Sequence, residues 1–322
     1  MTETSGQTPK VCALFMFNHR FEKIIPLLDR IYGERFSNRH ILMPFAKQPG
    51  PNMSRIYELG RNFSGHIAQG ARDFMRDEYT HYVIIPDDLL LHPSINETNL
   101  LEKLGLDFDE AYINNIVSAD ALRWTWEHSG DAAASFERYA KTIDLKGILP
   151  PADEAQKKFE AMGITFPAPG PQGLGARLKA HRQLLRQSLW CYFSAATLRG
   201  KPSPYPLLSG YSDFFVVPAP AMEAFVRYCA VFAALNIFAE VAVPTALALA
   251  TDRIRTELQL NSHFRDPDAR PSDPTALRGV AFWEGVGASP YAPLLGKELD
   301  EIMATFPDDV LYFHPVKLSQ YL

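Results

Sequence analysis

The sequence predicts an α/β fold, a three-layer sandwich built on a mixed, mainly parallel sheet. Three observations carry this. Apolar runs at residues 11–18 (VCALFMFN), 39–46 (RHILMPFA) and 82–85 (YVII) suit strands buried on both faces. Between them, residues 19–32 place Phe21, Ile24, Ile25, Leu28 and Ile31 near helical spacing, and a longer helical stretch is expected from about Met53 to Arg76. Strand alternating with helix is the pattern of parallel strands joined by helical crossovers.

The chain has 322 residues, 47% hydrophobic and 21% charged, which suits a folded domain with a sizeable core. A formal net charge of -5 argues against a dedicated nucleic-acid binder. Cys12, Cys191 and Cys229 lie far apart in apolar surroundings, without metal-ligand spacing, and read as buried free thiols of a reducing compartment. The first ten residues, MTETSGQTPK, carry no apolar core of signal-peptide type, so a cytoplasmic protein is expected. Asn236, Glu240 and Pro244 interrupt the most apolar stretch, Val231 to Ala250, which therefore reads as a buried helix pair or a broken helix. A peripheral membrane contact is left open.

Residues 147–175 are crowded with Pro and Gly and read as a loop-rich insertion around one short helix. A basic amphipathic helix is expected at 176–199, with Arg177, Lys179, Arg182 and Arg186, either a solvated face or a contact for an anionic acceptor or lipid headgroups. Strand character returns in YPLLSGYSDFFVVPAP (205–220), with Gly210 at a turn, and a short apolar strand runs into His314 near the end. Asp266 to Pro274 reads as a loop able to close over a bound ligand.

The chemistry is narrowed first by what the sequence lacks. It has no phosphate loop, no GxGxxG after the first strand, no Gly-x-Ser-x-Gly elbow and no His-Glu-x-x-His. What remains begins with HYVIIPDDLLLHP (81–93), where a buried strand ends in Asp87 and Asp88. Ligands of α/β sheets gather at the carboxyl ends of strands, and Asn18, Ala46–Gln48 and Asp87–Asp88 all fall there. The Asp pair serves either as a turn device or as oxygen ligands of Mg²⁺ or Mn²⁺. Glu240 within an apolar stretch and His314 near the end of the chain each have an ordinary structural reading when taken alone.

In this order, these segments resemble the A-type (GT-A) glycosyltransferases, which use nucleotide-sugar donors and a divalent metal. The passage GHIAQGARDFMRDEYTHYVIIPDDLLLHP (65–93) is similar to the helix and strand that end in that family's Asp-x-Asp motif, with Pro86 where the first Asp is expected. The resemblance implies a single GT-A-like domain over 1–322. Residues 11–93 would be its nucleotide-binding half, 120–205 an elaboration and 205–322 the acceptor and catalytic half. It implies Asp88 and His314 as ligands of Mn²⁺ or Mg²⁺, with Asn18, Asp87 and Lys317 on the nucleotide side. SGYSDFFVVP (209–218) resembles the turn beside donor sugar and acceptor, making Asp213 a sugar or acceptor contact. FAEVAVPTAL (238–247) resembles the helix start that supplies the catalytic carboxylate, making Glu240 the general base. The implied activity is metal-assisted transfer of a sugar from a nucleotide-sugar to a glycan or glycolipid hydroxyl, as in bacterial surface polysaccharide biosynthesis. Inverting and retaining outcomes both stay open. A non-catalytic glycan-binding or scaffold protein is the alternative, favoured by Pro86; a nucleotidyltransferase ranks lower, for want of a Gly-rich loop in LFMFNHRFEK.

Overall fold

A computed structural model of the chain describes residues 9–123, 126–167, 203–257, 278–281 and 291–322. The expected basic helix at 176–199 and the loop at 266–274 lie outside the described residues, as does Cys191. Twelve strands are described: β1 (Val11–Met16), β2 (Asn38–Pro44), β3 (Met53–Ile56), β4 (His81–Pro86), β5 (Leu90–Leu91), β6 (Ala111–Ile113), β7 (Val117–Ser118), β8 (Leu208–Ser209), β9 (Phe215–Pro218), β10 (Ile254–Thr256), β11 (Arg278–Ala281) and β12 (Val310–His314).

Seven of them form the central sheet in the order β3-β2-β1-β4-β9-β6-β10. It is parallel except at β9, which runs antiparallel to both β4 and β6. The period-2 alternation of β1 sorts its side chains into two cores. Cys12, Leu14 and Met16 join one core with residues of the helices Phe63–Phe74, Ala219–Ala234 and Ala239–Ala250. Val11, Ala13 and Phe15 join the other, with the helix Ile25–Tyr32 and the strand β12. Helices on one face and a mixed layer on the other make the three-layer α/β arrangement, and burial on both faces explains why β1 and β4 are apolar throughout.

The small sheet β11-β12-β5 carries the end of the chain to the central sheet. Its strand β5 follows the Asp pair directly and is held from behind by two side chains. The Tyr32 hydroxyl donates to the Leu89 carbonyl (2.8 Å) and accepts from the Leu91 amide (3.1 Å). The guanidinium of Arg35, stacked over the Tyr32 ring, donates to the carbonyls of Ile95 (2.8 Å), His92 (2.6 Å) and Leu91 (3.3 Å).

The helix expected over 53–76 divides in two. Met53–Ile56 pairs with Ile41–Pro44 as the edge strand β3, and the α-helix begins only at Phe63. Between them Gly60 meets the end of β1 so closely that a Cβ there would lie 2.3 Å from the Asn18 carbonyl oxygen. Beside β3, Phe45 is held at φ +51 while 49% exposed. A bulky side chain in that left-handed region costs roughly 1–2 kcal/mol. The apolar stretch at 231–250 is a helix pair, broken at Leu235–Phe238 with Asn236 at φ +53. Cys12 and Cys229 are buried free thiols. Among the described residues no helix is long and apolar enough to cross a membrane.

Candidate functional site at the carboxyl ends of the strands

The two adjacent carboxylates after β4 face different surroundings. Asp87 is 5% exposed; its amide donates to the Met16 carbonyl (2.9 Å) and its Oδ1 accepts from the Asn18 amide (3.2 Å). It is thus a turn device that ties the ends of β1 and β4 together. Asp88 turns outward, with 29% of its side chain accessible. Its Oδ2 lies 3.5 Å from Asn18 Nδ2, and its carbonyl accepts from the Val316 amide (2.6 Å).

That last bond brings in the end of the chain. His314 closes β12 at 3% exposure, with its ring between two carboxylates. Nε2 stands 3.1 Å from Asp88 Oδ1, and Nδ1 stands 3.3 Å from Asp213 Oδ2. Asp213 itself is 8% exposed. The resemblance implies a sugar or acceptor contact at Asp213; in the structure its carboxylate stands beside His314 Nδ1. Lys317 is exposed, three residues beyond the histidine.

Glu240 arrives through an arrangement that Pro244 makes possible. Pro244 sits inside the helix Ala239–Ala250 and has no amide hydrogen for the carbonyl four residues earlier. That carbonyl belongs to Glu240, and it accepts from the Gly210 amide instead (3.0 Å). On the other side, the Tyr211 amide donates to Asn115 Oδ1 (2.8 Å). Residues 210–213 are therefore stitched between the end of β6 and the start of this helix. Gly210 is required there because a Cβ would fall 2.0 Å from the Asn115 carbonyl oxygen.

Crowded acids in a partly dry site resist ionisation. Burial, then the neighbouring Asp88, pushes the Asp87 carboxyl up to about 7. Burial, reinforced by Asp213 and opposed by His314, pushes Glu240 up to about 8. Asp213 is also raised, by burial first, against the pull of His314. Burial alone would lower the His314 imidazolium, but Asp213, Asp88 and Glu240 more than reverse this and its pKa is raised. The site is a set of carboxylates around one imidazole, whose cationic form they favour.

Among the described residues no group of three or more His, Cys, Asp or Glu side chains is placed to hold a metal ion. Asp88 Oδ1 and His314 Nε2 stand 3.1 Å apart and could serve as two protein donors once the ring has given up its Nε2 proton. Such a span suits adjacent donors on an octahedral ion with bonds of about 2.1 Å, and an ion that shares its coordination with substrate phosphates needs only one or two carboxylates. A carboxylate behind a histidine ligand, as Asp213 stands behind His314, is the usual support of such a ligand. Two such donors could hold a divalent ion only if it drew its remaining ligands from water or a bound substrate.

The structure thus brings Asn18, Asp87, Asp88, Asp213, Glu240 and His314 together from five separate segments. Asn115 and Tyr211, which fix the middle of the site, were not read from the sequence; the only cue is the polar pair Asn114–Asn115 directly after an apolar strand. No family model, curated protein or solved structure matches the chain.

Proposed function

We propose that the protein is a GT-A-like glycosyltransferase that moves a sugar from a nucleotide-sugar to an acceptor hydroxyl with the help of Mn²⁺ or Mg²⁺. The observation that carries this reading is the convergence of Asp88, Asp213, Glu240 and His314, distant in sequence, at the carboxyl ends of a mainly parallel sheet. Asp88 and His314 would hold the divalent ion. When bound, it would stabilise the charge that develops on the departing diphosphate. Asp213 keeps the His314 ring in place, so it is a positioning residue in this reading. Asn18 and Asp87 shape the floor beside the phosphates, and exposed Lys317 can reach towards them.

Glu240 is the general base. Its carboxylate takes the proton of the acceptor hydroxyl as that oxygen attacks the anomeric carbon, and a pKa near 8 matches a base working close to neutral pH. The test is a panel of nucleotide-sugars with Mn²⁺, following release of the nucleoside diphosphate. Glu240→Gln is expected to lose transfer while still binding the diphosphate; full transfer by this variant would overturn the assignment.

One observation favours a second reading, a non-catalytic glycan-binding protein. Asp87 is spent on the turn and His314 already stands between two carboxylates, so among the described residues Asp88 is the one acid of the pair turned outward. Glycan binding without affinity for any nucleotide would select that reading.

A further inference from the structure

At the β3 edge of the sheet, the segments that follow β2 and β3 carry exposed apolar side chains. Phe45, Tyr57 and Leu59 are 49%, 64% and 61% exposed. The Phe45 and Tyr57 rings meet edge to face at 6.1 Å. Burial does not account for these side chains, since all three stand in solvent. Backbone comfort does not account for Phe45 either, because it holds a positive φ that Asn or Gly would adopt with less strain. Strain retained by an exposed aromatic points to a contact made by its side chain.

The surroundings indicate the kind of contact. Exposed Arg20, Lys47 and Arg61 lie in the segments that follow β1, β2 and β3, and exposed Arg55 lies on β3 itself, against two carboxylates, Glu22 and Glu58. Both carboxylates are engaged locally. Glu22 accepts from the Lys47 amide (3.1 Å) and stands 3.8 Å from Arg20 Nε, while Glu58 accepts from the Leu59 amide (3.0 Å) and from Asn62 Nδ2 (3.1 Å). Arg55 donates to the carbonyls of Ala46 and Lys47, which fixes the loop that carries Phe45. A local excess of cations on a chain of net charge -5 is a concentrated feature.

We propose that this face docks on an anionic lipid surface. Phe45, Tyr57 and Leu59 enter the headgroup boundary while the surrounding Arg and Lys side chains meet lipid phosphates. The patch is continuous with Asn18 through Gly60, so docking would hold the acidic site beside the membrane. This inference stands apart from the proposed glycosyl transfer, which a soluble acceptor would equally allow.

The test is co-sedimentation with phosphatidylcholine vesicles, with and without phosphatidylglycerol, using the full chain. Binding is expected only to the anionic vesicles. Charge reversal by Lys47→Glu with Arg61→Glu is expected to weaken it by about thirtyfold or more. Phe45→Asn is expected to weaken it several-fold while melting at or above the wild-type temperature, because Asn accepts the left-handed backbone. Tyr57→Ser removes a second apolar tip from an unstrained position and should weaken binding likewise. Equal binding by wild type and these variants, or no binding to anionic vesicles, overturns the proposal. A Phe45→Asn variant that binds vesicles normally but loses affinity for nucleoside diphosphates also overturns it and makes the patch a nucleotide contact.

Discussion

Gly210→Ala places one methyl group where the site is closed. The new Cβ would lie 2.0 Å from the Asn115 carbonyl oxygen, 3.1 Å from its carbonyl carbon and 3.3 Å from its Oδ1. Real Cβ atoms keep at least 3.0 Å from any heavy atom, so the backbones must separate by about an ångström. One hydrogen bond spans that gap, Tyr211 amide to Asn115 Oδ1 (2.8 Å), and a second, Gly210 amide to Glu240 carbonyl (3.0 Å), holds the opposite side and is distorted by the same movement. Overpacking costs about 1–3 kcal/mol and each weakened bond about 1 kcal/mol, so a loss of roughly 2–5 kcal/mol is expected. Urea denaturation followed by circular dichroism should show a lower midpoint at unchanged slope. Gly130→Ala is the control: it lies in the helix Glu127–Tyr139 with nothing within 4 Å of the added Cβ, and should gain up to about 1 kcal/mol. A Gly210→Ala midpoint equal to wild type would refute the closure argument.

The carboxyl of Glu240 has its folded pKa raised from 4.5 to about 8, so its contribution to stability is full below 4.5 and is lost as pH rises towards 8. Glu240→Gln should therefore melt with wild type near pH 4 and above it at pH 8, by on the order of 2 kcal/mol after allowance for solvent screening of a half-buried group. A difference independent of pH would contradict the raised pKa. Arg35→Met strips its guanidinium partner from the carbonyls of Leu91, His92 and Ile95, and should cost on the order of 3 kcal/mol in urea unfolding. A cost below about 0.5 kcal/mol would mean that water replaces the guanidinium there.

The strands β1 and β4 were legible because a strand covered on both faces needs an unbroken apolar run. The helix pair at 231–250 was legible because polar residues and a proline cannot continue one buried span. Four-residue β3 was not, since Met53 and Ile56 also fit helical spacing and only pairing with β2 decides the matter. At the site, Asp88, Glu240 and His314 each had an ordinary structural reading alone, and only the order of the segments that carry them, through the resemblance, singled them out. The division of roles between Asp87 and Asp88 was hidden, because it depends on which carboxylate faces the Asn18 amide. Asp213 illustrates the same limit: the resemblance implied a sugar or acceptor contact, while its position behind His314 follows from tertiary packing and was not legible. Asn115, Tyr211 and Arg35 act through backbone groups distant in sequence and leave no periodic signal.

The central claim is a diphosphate and metal site on Asp88, and thermal melting with nucleoside diphosphates tests it most directly. The panel is run with and without Mn²⁺, on wild type and Asp88→Ala. A ligand present at a hundredfold excess over its Kd adds about 2.7 kcal/mol to the native state, enough to raise the melting temperature measurably. The expected result is a rise with one nucleotide, dependent on Mn²⁺ and lost in Asp88→Ala. No rise with any nucleotide, or an equal rise in the variant, would contradict it.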